Sequence, residues 1–368
     1  MTTGLIWDER CMWHDTGLYF GPMEGNPWIE PIANLENADS KRRIKNLLDA
    51  SGLTNQLAAV TCTPATELDI LRAHTPSYLA EVKRVSDAGG GNLAKRMGTT
   101  RVGHHGIDIA FLAAGGAISA VRAVLAGEVD NAYALIRPPG HHAGPDEAMG
   151  FCVFSNAALA GKFSLEEAGL ERIAFVDWDV HHGNGTQAIF WEDPRALVIS
   201  LHQENCFPPE SGGVDQNGHG AGAGTTINIP LPSGSGEAVY LAAFDRVILP
   251  ALESYQPQLI IVSCGFDAGF HDPLGRMMLT SHSFRRLTER IMAVAKNLCD
   301  GKLVLTHEGG YSPHSVPFHC LAIIEQLSGI RTEVIDPFSP PEVGESDEIL
   351  LPHQDEAIDR AEAILIEN

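Results

Sequence analysis

Short runs of apolar residues recur along the whole chain, separated by longer stretches in which apolar positions return every three or four residues. The clearest short runs are 132–136, 173–176, 196–201, 259–263 and 303–306, with weaker ones at 5–7, 58–61 and 226–229. Several are apolar at every position instead of alternating, the pattern of parallel strands covered on both faces. Among the longer stretches, 107–125 is rich in Ala and Gly and predicts a helix packed closely on a sheet. Segments 237–254 and 283–298 read as amphipathic crossover helices, the second opened by a Ser281 or Ser283 cap. Strands alternating with helices in this way predict an α/β fold: one domain over 1–368 on a central, mostly parallel, doubly wound sheet of about eight strands, with helices on both faces.

Two glycine-rich stretches fall outside these elements. Residues 212–224 (GGVDQNGHGAGAG) lack the strand, helix and Lys of a phosphate cradle and read as a surface loop. Residues 89–91 read as a turn or mobile loop. From about Glu333 the chain turns acidic and Pro-rich and ends in an amphipathic helix over 355–366, so that 333–368 forms a tail that closes the fold or meets another subunit.

Composition narrows the function classes. Apolar residues make up 44% of 368 positions, enough for one large core. A formal net charge of −22 excludes a broad nucleic-acid face, while leaving a cationic substrate free to enter a cleft. The 7 cysteines, odd in number and without a C-x-x-C pair, predict buried thiols in a reducing compartment. Residues 1–7 have no basic start leading into a long apolar run, and no stretch approaches the roughly 18 uninterrupted apolar residues of a membrane span. A cytoplasmic protein without a membrane or nucleic-acid partner is expected.

Polar residues gather where the predicted strands end, the place at which open α/β sheets bind ligands. After 173–176 come Asp177, Asp179 and His181, at spacings that extended backbone points one way. A turn, His182-Gly183-Asn184-Gly185, then opens the next helix. Asp267 follows 259–263, Arg137-Pro138-Pro139-Gly140-His141-His142 follows 132–136, and Glu308-Gly309-Gly310-Tyr311 follows 303–306. A lone Asp at a strand end is ordinarily a cap or turn residue. Three titratable groups on one side of a single strand end are costly to bury without a cation, which favours a metal centre. Asp179, His181 and Asp267 leave coordination positions open, as a catalytic zinc requires, with Fe(II) in the same mixed site as the alternative. His141 and His142, stiffened by Pro138 and Pro139, suit a base held near a metal-activated water, oriented by Asp177 and Asn184; the plainer reading is two satisfied loop histidines. Tyr311 suits a donor to a developing oxyanion, against the plainer reading of a packed aromatic.

Together these segments resemble the histone-deacetylase family, in its class II-like branch and the bacterial amidohydrolases close to it. The resemblance is carried by RPPGHH (137–142), MGFCVF (149–154), DWDVHHGNG (177–185), ISLH (199–202), GFDA (265–268), DPLGRM (272–277) and EGGY (308–311), in the family's order over roughly residues 5 to 330. It implies an arginase/deacetylase-like fold and removal of an acetyl or related acyl group from acetyl-lysine or a similar N-acetylated amine. Residue by residue, it implies one zinc on Asp179, His181 and Asp267. His141 and His142 match the tandem histidines, His142 nearest the general base, with Asp177 behind His141 and Tyr311 as oxyanion donor. Phe151 and Phe207 match the tunnel aromatics, and Gly150, Leu274 and Gly309 fall in the substrate-binding segments. Asp177, Asp179, His181, Ser200 and Leu201 match a structural potassium site.

Three departures refine the match. Asn184 stands where class I members carry Asp. Tyr311 is present where some vertebrate class IIa members carry His. Leu274 sits where polyamine-selective relatives carry an acidic gatekeeper. An arginase-like rival needs a second metal and carboxylates where Gly183 and Gly269 stand; a non-catalytic acetyl reader or scaffold is the rival from another class. The rim that selects substrate is assigned to loops 88–105 and 212–224, and the oligomerisation of bacterial relatives leaves a homo-oligomer open.

Overall fold

Uniformly apolar runs become strands whose alternate residues enter two separate cores. In the run 173–176, Ala174 and Val176 join one apolar cluster while Ile173 and Phe175 join the other. The run 303–305 divides in the same way, Leu303 and Leu305 against Val304. Period-two geometry on a doubly covered sheet therefore keeps the middle of both strands apolar.

The computed structural model describes residues 1–18, 27–339 and 349–367. Its strands are β1 (Thr3–Trp7), β2 (Ala58–Val60), β3 (Gly90–Asn92), β4 (Arg101–Gly103), β5 (Asn131–Leu135), β6 (Ile173–Asp177), β7 (Ala196–Gln203), β8 (Thr226–Leu231), β9 (Ile260–Cys264) and β10 (Leu303–His307). Eight form one sheet in the order β2-β1-β5-β10-β9-β6-β7-β8, with every neighbouring pair parallel. The short β3 and β4 pair with each other, antiparallel, in the segment 88–105 expected to be loop. Gly90 there sits at φ +95, and a Cβ on it would fall 2.6 Å from Val102 O.

The helices are α1 (Asp39–Ala50), α2 (Glu67–Ile70), α3 (Pro76–Asp87), α4 (Gly106–Leu125), α5 (Asn156–Glu166), α6 (Asn184–Phe190), α7 (Glu237–Ala243), α8 (Leu249–Tyr255), α9 (Ser281–Cys299), α10 (Val316–Ser328) and α11 (Pro352–Glu367). Residues of α3, α4 and α5 fill one core; those of α1, α7, α8, α9 and α10 fill the other. By length and composition α4 could cross a membrane, but 72% of that stretch is buried inside the protein. Its Gly115 lets it approach so closely that a Cβ would lie 2.0 Å from Thr63 O.

Two expected boundaries are corrected. The predicted helix 237–254 is broken by a π-helical segment, Phe244–Ile248. Pro250 lacks the N–H that would bond the Arg246 carbonyl, so the ladder widens there. The cap of α9 is Thr280, not Ser281 or Ser283: Thr280 Oγ1 accepts the Ser283 N–H, and Ser283 Oγ accepts the Thr280 N–H at 3.1 Å. The terminal helix forms as α11 and packs against β8, with Arg246 of the π segment bound to Asp355, Asp359 and Glu362. Residues 340–348 of the acidic tail lie outside the described residues. All 7 thiols are free, and Cys206 alone is partly exposed.

Candidate active site

Strands β5, β10, β9 and β6 are neighbours in the sheet, so the segments leaving their carboxyl ends converge although they span residues 136 to 311. Asp177, the last residue of β6, pairs in register with Ser263 of β9 and Ser200 of β7. The backbone then leaves the sheet and presents Asp179 and His181 towards Asp267 from the β9 end. Ligand atoms of Asp179, His181 and Asp267 all lie within 4.8 Å of one another, and all three residues are buried.

His181 Nδ1 stands 3.0 Å from Asp179 Oδ1 and 3.2 Å from Asp267 Oδ2. The outer oxygens are fixed by main chain: Val180 N–H donates to Asp267 Oδ1 at 2.8 Å and Gly309 N–H to Asp179 Oδ2 at 2.8 Å. Asp267 Oδ2 is buried without a hydrogen-bond partner. A Cβ at Gly309 would fall 2.0 Å from that oxygen, so Gly309 keeps space open behind the triad instead of lining the cavity.

The two adjacent histidines have unlike partners. His141 Nδ1 donates to Asp177 Oδ2 at 2.9 Å, and its ring lies 4.0 Å from that of His142, tilted by 41°. Burial disfavours charge on His141, but the Asp179 and Asp177 carboxylates outweigh it and push its pKa up to about 10. His142 Nδ1 donates to Asn184 Oδ1 at 2.7 Å, an acceptor that fixes the tautomer with a lone pair on Nε2. Burial, with the like charges of His141 and His181, drives the His142 pKa well below its ordinary value. The pair thus separates into a charged and a neutral imidazole.

A cavity of about 190 Å³ opens onto this group, lined by His142, Gly150, Phe151, His181, Phe207, Leu274 and Tyr311 together with Gly98, Thr99 and Cys206. Phe207 meets the His142 ring edge-on at 5.0 Å, and Phe151 meets Tyr311 at 5.8 Å. Gly150 sits at φ +53 with its missing Cβ only 2.2 Å from His142 Cδ2, so the imidazole occupies the space a side chain would need. Burial and the carboxylates of Asp267 and Asp179 raise the Tyr311 pKa and keep the phenol protonated. Of the two rim loops, 88–105 reaches the cavity through Gly98 and Thr99, whereas none of 212–224 does. Instead Gly212 O accepts from His202 Nε2 at 3.0 Å, bracing the segment after Phe207. Ser200 and Leu201 lie on β7, off the cavity.

Residues 34–327 match the family model described as Histone deacetylase domain. The chain belongs to the histone deacetylase family. It is 48% identical over 338 residues to the Histone deacetylase-like amidohydrolase of Pseudomonas aeruginosa, across 91% of this chain and 88% of that one. It is 42% identical over 268 residues to a Probable deacetylase of Archaeoglobus fulgidus, 73% of each chain. Identity to the Polyamine deacetylase HDAC10 of Mus musculus is 37% over 313 residues, 83% of this chain and 46% of that protein. The solved HDA15 HD domain superposes with a TM-score of 0.86 at 30% identity, over 100% of this chain and 96% of that one.

Three supports of this deacetylase-family site were not visible as such in the sequence. Glu308 Oε2 accepts the Gly140 N–H at 2.6 Å and the His141 N–H at 3.1 Å, holding the tandem-histidine turn. Burial pushes the Glu308 pKa up to about 7. Arg137, fully buried, bonds Glu36 through Nε at 2.8 Å and the carbonyls of Met12 and His14, so the N-terminal segment is tied to the same turn. Asp272 accepts two backbone N–H groups of the cavity wall, those of Leu274 and Tyr311. The partners of Glu308 and Asp272 are main-chain donors, which no spacing rule indexes.

Proposed function

We propose that the chain is a zinc-dependent amidohydrolase that removes acetyl, or a related acyl group, from acetyl-lysine or a similar N-acetylated amine. The carrying observation is Asp267 Oδ2: a buried carboxylate oxygen that meets no polar group closer than His181 Nδ1 at 3.2 Å, with His181 itself lining the aromatic cavity. Such an atom is costly to leave unpaired, and a two-carboxylate, one-imidazole set with space kept by Gly309 fits one zinc held by Asp179, His181 and Asp267. When bound, zinc supplies Lewis acidity toward the acyl carbonyl and lowers the pKa of the attacking water.

The chain's own groups perform the rest. His142 Nε2 takes the proton of the attacking water, its ring held by Asn184, and the same imidazolium delivers it to the leaving amine. His141, charged through Asp177, stabilises the negative charge that gathers beside it. Tyr311 donates its phenol proton in a hydrogen bond to the carbonyl oxygen as that atom becomes an anion. Phe151 and Phe207 exclude water and hold an aliphatic arm, and Leu274 gives the rim an apolar gate that favours a lysine-type arm over a polycation. A structural potassium on the segment of Asp177, Asp179, His181, Ser200 and Leu201 belongs to the same proposal. Its support is that neutral His202 Nδ1 accepts a hydrogen bond from the Ser200 hydroxyl at 2.9 Å, which turns the lone pairs of that oxygen toward the Gly183 N–H and the buried Asp177 end of β6. Seven free thiols support a reducing, cytoplasmic setting.

An arginase-like two-metal reading is disfavoured by space. A Cβ at Gly183 would fall 2.3 Å from Asp177 Oδ2 and one at Gly269 2.5 Å from His319 Cε1, so neither position admits a bridging carboxylate. The test is release of free amine from a fluorogenic acetyl-lysine peptide, with and without a hydroxamate, alongside elemental analysis. Hydroxamate-sensitive turnover with one zinc per chain is expected; turnover indifferent to the chelator, or two divalent metals per chain, sinks the reading.

A further inference from the structure

Tyr311 follows Gly309 and Gly310, the latter at φ +126, so its own stem does not fix where the phenol points. Three contacts from elsewhere do. Asp272 Oδ2 accepts the Tyr311 N–H at 2.7 Å, while Oδ1 of the same carboxylate accepts the Leu274 N–H at 2.9 Å. The Asp272 N–H in turn donates to Gly269 O at 3.0 Å, two residues beyond Asp267. Ser40, in the first turn of α1, donates its hydroxyl to Gly310 O at 3.0 Å. Lys41 Nζ stands 5.5 Å over the Tyr311 ring centroid, and its ion pair with Glu36 keeps it there. Asp272, Ser40 and Lys41 are all buried.

We propose that Asp272 is the positioning residue for Tyr311: its carboxylate ties the loop carrying the oxyanion donor to the Leu274 rim of the cavity, with Ser40 bracing Gly310 from behind. The proposal rests on the acyl-hydrolase reading for what the phenol does, and on geometry alone for where it is held. A carboxylate is what this corner requires. Two N–H groups converge on it from different segments, and a carboxylate offers an acceptor to each. An amide in its place turns an N–H toward one of them, which loses that bond and leaves a buried donor unpaired. The stem then regains the freedom its two glycines allow, and the phenol spends only part of its time where an oxyanion forms.

Fluorotyrosine placed at position 311 reports the ring by fluorine NMR, with kinetics on the acetyl-lysine peptide run in parallel. The parent is expected to give one narrow resonance, and Asp272→Asn a second or broadened one. In kinetics, Asp272→Asn lowers kcat by about 10-fold, below the 10²–10³ typical of deleting an oxyanion donor outright. Combined with Tyr311→Phe it lowers kcat little further, because an absent phenol cannot be misplaced. Ser40→Ala moves the same resonance in the same direction and serves if Asp272→Asn does not fold. An unchanged resonance in the folded variant, or a kcat loss that multiplies undiminished onto Tyr311→Phe, overturns the proposal. Absence of amine release by the parent overturns the functional reading instead, and the NMR comparison still decides the positioning.

Discussion

Glu308 holds His141 by its backbone, not its ring: the carboxylate accepts the His141 N–H at 3.1 Å and the neighbouring Gly140 N–H at 2.6 Å. The turn that carries both imidazoles is thereby anchored to the end of β10, three residues before Tyr311. Glu308→Met keeps the length of the side chain but removes the single oxygen, Oε2, that both donors share. It is expected to lower kcat by about 10-fold and stability by roughly 1–3 kcal/mol, the range for an unpaired buried donor. Steady-state kinetics and a urea titration check it, and a variant indistinguishable from the parent in both would show that the turn holds itself.

Tyr311→Phe removes the phenol hydroxyl and leaves Asp179, His181 and Asp267 untouched. Turnover should fall about 10²–10³-fold with zinc content unchanged. Loss of zinc along with activity would assign Tyr311 to the metal site instead.

At Gly150 the His142 ring fills the space of a side chain. Gly150→Ala drives a Cβ to within 2.2 Å of His142 Cδ2 at a backbone φ of +53, so either the imidazole or the cavity wall must move. The expected result is a loss of kcat of at least about 10-fold with zinc still bound, since misplacing a catalytic group by a fraction of an ångström is enough. An alanine variant as active as the parent would mean that His142 is not the base.

Acid should destabilise the fold through the N-terminal cluster. His14 is buried and neutral: burial, then the Arg137 charge, lower its pKa to about 3. The unfolded chain takes up that proton near pH 6.5 and the folded one does not, so the stability is fully present above 6.5 and drains as pH falls towards 3. The loss at pH 5 is about 2 kcal/mol. Glu36 acts in the same direction at lower pH. Burial raises its pKa, but Arg137 and Lys41 outweigh this and bring it to about 2, so its contribution is lost from about pH 4.5 downward. Urea midpoints across pH 7.5 to 5 measure the slope, which His14→Phe should reduce by the share of His14, the buried His74, His202 and His319 supplying the rest; an equally steep slope in that variant would place the titrating groups elsewhere.

How much of this was readable beforehand follows from which partner each residue has. The central strands announced themselves because burial on both faces leaves only apolar residues, as in Ile173–Asp177 up to its last position. Strands β3 and β4 were hidden: three residues each, with Gly90 and Gly91 in the first, carry no periodic signal, and pairing alone makes them strands. The π segment had its cause in plain view at Pro250, inside an otherwise regular helical pattern. At the site, side chains that act on one another, such as His141 with Asp177 and His142 with Asn184, stood in motifs. Asp272 and Glu308 act on backbone donors far away in sequence, and a main-chain N–H has no letter of its own.

The order β5-β10-β9-β6 places the two strands made last in the middle of the sheet. A chain emerging from the ribosome therefore carries Asp179 and His181 long before anything stands between β5 and β6. Until β9 delivers Asp267 and β10 brings Gly309 against Asp179, the proposed ion site has two of its three side chains and no floor. On the zinc reading proposed above, metal capture certifies that synthesis and topology are both complete: an unfinished or misthreaded chain has nowhere to keep the ion.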